Sequence, residues 1–366
     1  MNLQYEVITA DAMVHLDRVF TAEGSPNIAF IKYWGKRNDK LVLPYNSSIS
    51  MTFAHEAMRT VTSILFTKKL KNDVFYLDGQ KQNLENKDTA ERFAVLDILR
   101  SAAKTEAKAL VVSKNYFPTA SGLASSASGI ATLVFAANAA LEIGLNEKEM
   151  SIIARQGSGS ACRSLFGGIV VWKAGKRTDG KDSFALQVFE RDYWPEIVDN
   201  IVVVSQDKKK IPSRLGMRQT VNTNPLFGVR TLSAERRLKL FKESYRRRDI
   251  SGIAAHMMAD SNEMHALMLS TVPSIRYLNP ISYSLMDAVE ELNENEGKII
   301  AGYTFDAGPN ANIVTVNKYQ KKVMDMLKQF KEKGSVIYIK TSRVGDGPKL
   351  LGAEYSMINE DMLRPR

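Results

Sequence analysis

One cysteine, Cys162, stands in 366 residues. That excludes an intrachain disulfide framework and any multi-cysteine metal site. Histidine is almost as scarce, with only His15, His55, His256 and His265. None belongs to an HExxH helix or a close His/carboxylate cluster, so no metal held by protein side chains is expected. Magnesium carried mostly by substrate phosphates would leave no such signature. Charge is missing altogether from Tyr116 to Leu141, and no lysine occurs between Lys114 and Lys148. The uncharged run is long enough to cross a bilayer, but its Ser, Thr, Gly and Asn content favours a soluble core helix. Repeats and low-complexity tracts are absent. Residues 1–22 contain Glu6, Asp11, Asp17 and Arg18 and no uninterrupted apolar core. Neither signal peptide nor anchor is therefore expected, and the protein is expected in the cytoplasm.

What is present is an ordinary globular composition, 44% hydrophobic and 25% charged. The length allows two domains or one elaborated one. The net charge of +10 and pI near 9.4 suit polyanions of any size, from nucleic acid to small phosphorylated metabolites. The basic clusters Lys68-Lys69, Lys208-Lys209-Lys210 and Arg246-Arg247-Arg248 are short and dispersed. They lack the interleaved aromatics of a base-stacking surface, and the first and third read as solvated faces, so no nucleic-acid partner is expected.

The uncharged run opens with FPTASGLASSASG at residues 117–129. Small and hydroxyl-bearing residues ahead of a long apolar helix offer an anion backbone N–H groups, hydroxyls and the positive end of a helix. A buried Ala-rich helix behind a Gly/Ser turn explains the same letters equally well. Because no lysine follows the last glycine, a bound phosphate must find its countercharges elsewhere. A second loop, GSGSACRS at 157–164, is of the same kind. Two such loops in one half of the chain are hard to explain as turns alone.

Apolar periodicity predicts strands at 27–31, 41–43, 46–53, 61–66, 74–77, 109–113 and 168–172, with helices over 88–107 and 148–155. Beyond a boundary at 192–199 come strands at 201–205, 299–303, 313–316 and 335–340. Helices are predicted at 217–225, 233–248, 250–268, 276–296 and 318–333. Asp88 with Glu91 three residues on reads as a helix N-cap. Lys32, Tyr33, Lys36 and Arg37 precede a turn at Asn38-Asp39 and form either a solvated hairpin end, which position alone favours, or a phosphate and carboxylate clamp. The pattern interleaves strands and helices without strict βαβ alternation. It predicts an α+β, two-domain fold: 1–195, 196–345, and a tail, 346–366, packing back on the first.

Six segments in one order carry more than any of these signals alone. NIAFIKYWGKR at 27–37, LPYNSSIS at 43–50, the loops at 117–129 and 157–168, DSN at 260–262 with His265, and YTFDAGPNA at 303–311 together resemble the diphosphomevalonate decarboxylases of the GHMP small-molecule kinase superfamily. The resemblance covers nearly the whole chain after residue 23. It implies a GHMP-kinase-like fold with mixed sheets and helices packed against them, and a phosphate or nucleotide loop with Gly122, Ser125, Ser126 and Ser128. Asp306 corresponds to the catalytic aspartate, Arg163 to the residue that holds the substrate carboxylate, and Lys32 to the lysine beside the aspartate. Asn27, Tyr33, Lys36, Ser158, Ser160, Ser213 and Met217 fall on substrate-pocket positions.

The chemistry suits these residue types. Losing carbon dioxide sends the C1–C2 electrons toward C3 as the C3 oxygen leaves, and a tertiary hydroxyl leaves well only once phosphorylated. A planar guanidinium can grip the carboxylate and orient that bond. A carboxylate can accept the hydroxyl proton or stabilise positive charge at C3. One position departs from the family: the best register puts Asp88 where an arginine contacts the terminal phosphate of the 5-diphosphate. Either Lys87 or Arg92 substitutes, or the substrate lacks that phosphate.

The expectation is therefore a mevalonate-pathway decarboxylase acting on a phosphorylated mevalonate. Mevalonate 3,5-bisphosphate giving isopentenyl phosphate, with no tightly bound cofactor, is preferred. The ATP-dependent diphosphomevalonate and phosphomevalonate decarboxylases, using ATP and Mg2+, are the alternatives, with a mevalonate kinase that stops before decarboxylation more distant. A homodimer is compatible with the family. No membrane partner is expected.

Overall fold

A computed structural model describes residues 15–117, 125–207 and 209–363. The first half runs through strands β1 (Val19–Gly24), β2 (Asn27–Ile31), β3 (Lys36–Asn38), β4 (Leu43–Pro44), β5 (Ser48–Thr52), β6 (Thr60–Thr67), β7 (Val74–Leu77) and β8 (Gln80–Lys81). Helices α1 (Lys87–Phe93) and α2 (Val95–Ala102), strand β9 (Lys108–Asn115), helices α3 (Ser125–Ala140) and α4 (Glu147–Gly157), and strands β10 (Ile169–Trp172) and β11 (Ala185–Phe189) follow. The second half comprises β12 (Ile197–Val203), α5 (Ser213–Thr223), α6 (Phe227–Arg246), α7 (Ile250–Leu269), α8 (Pro280–Asn295), β13 (Gly302–Phe305), β14 (Ala311–Val316), α9 (Asn317–Glu332), β15 (Tyr338–Ser342) and β16 (Lys349–Leu351).

These strands form a six-stranded sheet in the order β16-β1-β6-β9-β7-β8, and two four-stranded sheets, β11-β10-β5-β2 and β13-β14-β12-β15, besides the β3-β4 pair. Pairing is antiparallel except between β7 and β9. The result is the mixed α+β architecture that the sequence pattern predicts. The final strand closes the chain on itself, Thr21 standing opposite Leu351.

Helix α3 carries no charged residue, and none of its described side chains is exposed. Ala131, Val134, Ala137 and Ala140 are inaccessible, packed with Ala22, Ile64 and Val111 of the large sheet and with Ile153 of α4. A second core joins the two halves of the chain. Ile28, Phe30, Ile49 and Met51 share it with Leu238, Phe241, Tyr245, Met257 and Val314, and Phe30 stacks on Phe241 at 5.2 Å between ring centroids.

Local structure differs from expectation at several places. The helix expected over 88–107 is two helices, and Asn86 rather than Asp88 caps the first, its Oδ1 accepting from the Thr89 N–H at 3.4 Å. Asp88 lies one residue inside the helix. The helix expected from 276 begins at Pro280, where Asn279 supplies a capping box and proline the fixed φ of a first turn. Strands β3, β8, β11 and β16 were not anticipated. Each is short, and their pairing partners lie in other parts of the chain or across a tight turn.

Asp199 is buried in β12 with its Oδ2 accepting from Asn312 Nδ2 at 2.8 Å. Burial pushes its carboxyl up to about 7, with Asn312 and the Lys32 charge pulling the other way. An acid whose pKa rises on folding holds its proton more tightly in the folded chain. Its contribution to stability is complete below the unfolded value and is lost as pH rises through the folded one. Asp199→Asn should therefore melt like wild type near pH 4 and be more stable by on the order of 2–4 kcal/mol near pH 8. Equal differences in the melting curves at both pH values would contradict this.

Candidate active site

The ends of β2 and β13 meet although they are far apart in the chain. Lys32, just past β2, and Asp306, just past β13, form an ion pair with Nζ 2.6 Å from Oδ1. Lys32 is 3% exposed, and its ammonium also donates to the Ala29 carbonyl at 2.7 Å. Asp306 is about one-third open, so the pair has one covered end and one reachable from solvent. The turn that follows is tight, Gly308 N–H donating to Asp306 O at 2.7 Å.

Helix α7 braces both members. Asp260 Oδ2 accepts from the Lys32 N–H at 2.8 Å, and Ser261 Oγ accepts from the Phe305 N–H at 3.0 Å. Asn262 donates to Tyr303 Oη at 3.0 Å, and His265 packs edge-on to Phe305 and against the backbone of Asp306. Burial, with the Lys32 charge, pulls the His265 imidazole down to about 4, so it is neutral near pH 7. Burial pushes the Asp260 carboxyl up, and Arg230 with the Lys32 N–H opposes this.

Arg163 follows the 3-10 turn Gly159–Cys162 and is 3% exposed. Its Nε donates to Ser50 Oγ at 2.9 Å and Asn27 Oδ1 at 3.2 Å, and Nη1 to Ser48 Oγ at 2.8 Å. Asn27 in turn donates to Ser160 O at 3.1 Å and Ser164 Oγ at 2.7 Å, tying β2 to the second Gly/Ser loop. Burial pulls the guanidinium below its usual range while Tyr33 and Asp306 act the other way. Tyr33 stands edge-on to Trp172 at 4.6 Å, and burial raises its phenol to about 12. A Cβ on Gly159 would lie 2.5 Å from the Tyr33 hydroxyl, so only glycine lets the loop approach this closely.

Ser158 Oγ lies 3.4 Å from Ser160 Oγ and 3.3 Å from Ser126 Oγ in the first turn of α3. The start of the long helix and the second loop therefore converge. No acidic side chain occupies that first turn, as an anion site at a helix N-terminus requires. Ser128 is placed differently: its hydroxyl is 2.6 Å from Thr60 Oγ1, anchoring α3 to the large sheet. Gly122 lies outside the described residues, as do the side chains of Ser125 and Asp88.

Ser213 opens α5 and accepts from Lys209 Nζ at 3.1 Å, while Met217 is buried with Trp34, Met264 and Ala307. Lys36, expected at a solvated hairpin end, has a side chain only 6% exposed and pairs with Asp39 at 3.0 Å. Arg37 donates to the carbonyls of Ala174, Gly175 and Arg177. The solvated reading of this segment is thus corrected for Lys32, whose carboxylate partner is distant in the chain, and for Lys36, whose side chain is covered although its partner Asp39 is local.

Two cations escaped the sequence reading. Arg214 donates to Gly157 O at 2.7 Å and pairs with Glu91 of α1 at 2.8 Å. Lys209 is pulled below the usual ammonium range by burial and by Arg92, with Asp306 opposing. The sequence signal was there: Arg214 adjoins Ser213, and Lys209 belongs to the one basic cluster not read as a solvated face. Among the described residues, no three His, Cys, Asp or Glu side chains are grouped to hold a metal ion, and no helix is long and apolar enough to cross a membrane.

With this geometry in hand, comparison with known proteins is direct. Residues 24–185 match the family described as diphosphomevalonate decarboxylase-like N-terminal domain, and residues 200–336 the mevalonate 5-diphosphate decarboxylase C-terminal domain. A Debaryomyces hansenii protein named diphosphomevalonate decarboxylase is 43% identical, over 86% of this chain and 84% of its own. The crystal structure of a mevalonate 5-diphosphate decarboxylase superposes with a TM-score of 0.84 at 33% identity, covering 94% of this chain and 99% of that one. Another, described as MDDEF in complex with MVAPP, AMPPCP and magnesium, gives 0.82 at 34% identity over 92% and 99%. Fold and site thus place the protein among GHMP-type enzymes. Within that superfamily the chain belongs to the diphosphomevalonate decarboxylase family, and it is a carboxy-lyase of the mevalonate pathway.

Two substitutions test the roles proposed for the central residues. Asp306→Asn is isosteric and removes one charge, and it should lower carbon dioxide release at least about a thousandfold with the fold intact. Retention of more than a tenth of the activity would make Asp306 structural. Arg163→Lys keeps a charge but not the planar two-bond grip, and the loss should fall on kcat rather than KM. A raised KM with normal kcat would make Arg163 a binding residue only.

Proposed function

We propose that the protein decarboxylates mevalonate 5-diphosphate to isopentenyl diphosphate with consumption of ATP. The observation that carries this is the convergence of the α3 first turn on the loop at 157–164, Ser126 Oγ to Ser158 Oγ at 3.3 Å, with Asp306 of the Lys32–Asp306 pair acting electrostatically on Arg163 of that loop. An anion site at a helix start and a reacting-centre carboxylate are of little use together unless a phosphoryl group passes between them. Relatives near 40% identity bear the diphosphate name, and one similar structure is described with MVAPP, AMPPCP and magnesium. These support the ATP-dependent reading over the 3,5-bisphosphate preference drawn from Asp88.

The electrostatics agree. Arg92, Lys209 and Arg214 gather between α1, the Gly157 turn and α5. They supply positive charge on the side where Asp88 replaces the family's arginine, so a terminal phosphate need not depend on that position. Residues of α3's first turn, with Ser126, would hold the nucleotide phosphates, and a divalent ion would rest mostly on phosphate oxygens. The nucleotide supplies the phosphoryl group that makes the C3 oxygen a good leaving group.

The chain's own residues do the rest. Asp306 accepts the C3 hydroxyl proton as that oxygen is phosphorylated and afterwards faces the carbon that becomes electron-poor. Arg163 orients the carboxylate so that the C1–C2 electrons form the C2–C3 double bond as phosphate departs from C3. With the ADP left by the phosphoryl transfer, carbon dioxide, phosphate and isopentenyl diphosphate result. The substrates are water-soluble phosphates, in keeping with the cytoplasmic location included in this reading.

Carbon dioxide release from mevalonate 5-phosphate, 5-diphosphate and 3,5-bisphosphate, each with and without ATP and Mg2+, discriminates the readings. The 5-diphosphate with ATP should be fastest, and the bisphosphate without nucleotide should react at under about a hundredth of that rate, as expected where binding energy from the distal phosphate is used at the reacting centre. A nucleotide-free bisphosphate reaction as the best of the set would overturn the proposal.

A further inference from the structure

Lys32 is held at two ends. Its ammonium meets Asp306, and its peptide groups are gripped by side chains from three other segments. The N–H donates to Asp260 Oδ2 at 2.8 Å, while the carbonyl accepts from Asn46 Nδ2 at 3.0 Å and from Arg230 Nη2 at 3.3 Å. Asp260 and Arg230 are themselves a buried ion pair: Nη2 donates to Oδ2 at 2.9 Å and Nη1 lies 2.9 Å from Oδ1. Arg230 comes from α6 and Asp260 from α7, and the two side chains are 2% and 0% exposed. Glu263, one turn along α7, lies 3.4 Å from Arg230 and also accepts from Ser233 at 2.8 Å.

Such a pair is an expensive way to join two helices. Removing two charges from water costs several kcal/mol each, and well-packed apolar residues often serve stability as well or better. Here the pair is not spent on helix packing alone, since both partners reach the peptide groups on either side of one residue. Lysine has a long, flexible side chain, and fixing where its backbone begins narrows where its ammonium can end.

We propose that the Arg230–Asp260 pair is a positioning device that clamps the Lys32 backbone so that the ammonium stays seated on Asp306. Neither residue touches the substrate; both act through Lys32. The proposal rests on the reading of Lys32 and Asp306 as the pair at the reacting centre. Ser261 and His265 brace the Asp306 side from the same helix, so one surface of α7 sets both partners.

The test uses the full chain and four substitutions. Asp260→Ala should lower kcat about 10- to 100-fold, the penalty of a roughly 1 Å misplacement, with KM for mevalonate 5-diphosphate and ATP changing less than about threefold. Asp260→Asn keeps an oxygen for the Lys32 N–H and should recover at least about fivefold of that loss. In a Lys32→Met background, Asp260→Ala should change kcat by less than about twofold, because no ammonium remains to be misplaced. Multiplying losses in that background, or wild-type kcat in folded Asp260→Ala, overturns the proposal.

If Asp260→Ala does not fold, Arg230→Lys takes its place in the same cycle, since lysine keeps a cation for Asp260 but loses the fork that also reaches the Lys32 carbonyl. A substrate-free measurement runs in parallel. In protein labelled with 15N-lysine, the Lys32 amide should exchange with solvent at least about tenfold faster in the variant, while lysine amides in α9 remain as in wild type. An unchanged Lys32 rate overturns the clamp. Because this needs no turnover, it decides the proposal even if wild type releases no carbon dioxide from any phosphorylated mevalonate, the result that would sink the functional reading instead.

Discussion

The Lys32–Asp306 ion pair spans 274 positions of sequence and about 2.6 Å of space. A lysine 3% exposed needs a countercharge, since the ammonium loses its water on burial. The countercharge sits at the end of β13, in a sheet the lysine does not belong to. The sheet carrying β2 and the sheet carrying β13 must therefore be brought edge to end, and the shared core around Phe30, Phe241 and Met257 does this.

This explains why the local reading of Lys32, Tyr33, Lys36 and Arg37 as a solvated hairpin end fails. Four polar side chains before a turn usually face water, and nothing within ten residues says otherwise. What buries Lys32 comes from Asp260, Arg230 and Asp306, more than 190 residues away. Periodicity, by contrast, found most long elements, because α3, α6, α7 and β6 carry their apolar pattern within themselves. It missed β16, three residues whose place is set by β1 at the other end of the chain. It also ran α1 and α2 together, because Phe93, Leu96 and Leu99 keep helical spacing across the break at Ala94.

The site was legible as a set of segments rather than as geometry. Their order named the family, and within it the residues at 32, 163 and 306 could be pointed to. The contacts between segments were not legible, and they carry much of the chemistry. Asp88 shows the hazard: one acidic residue in an arginine's place suggested a substrate lacking a phosphate, although Arg92, Lys209 and Arg214 bring cations to the same region from three segments. Charge at a site is a sum over space, and a single aligned position samples one term of it.

Two buried arginines show how that sum separates scaffold from site. Arg155 is 1% exposed and is held by the carbonyls of Leu41, Gly180 and Ser183, with its stem fixed in α4. Those carbonyls come from two loops, β3–β4 and β10–β11, and the guanidinium ties them together. Arg163, eight positions on, is buried as deeply, but it donates to the hydroxyls of Ser48 and Ser50 and the amide oxygen of Asn27. Hydroxyls and an amide satisfy N–H geometry without supplying negative charge, which leaves the cation's desolvation only partly offset. Among the described residues no carboxylate forms an ion pair with it, and Asp306 acts on it only at longer range. On the role proposed for Arg163, a carboxylate arriving with the substrate would complete that balance, and the binding energy of the acid group would be concentrated at the bond that must break, which is where differential stabilisation of the transition state is useful.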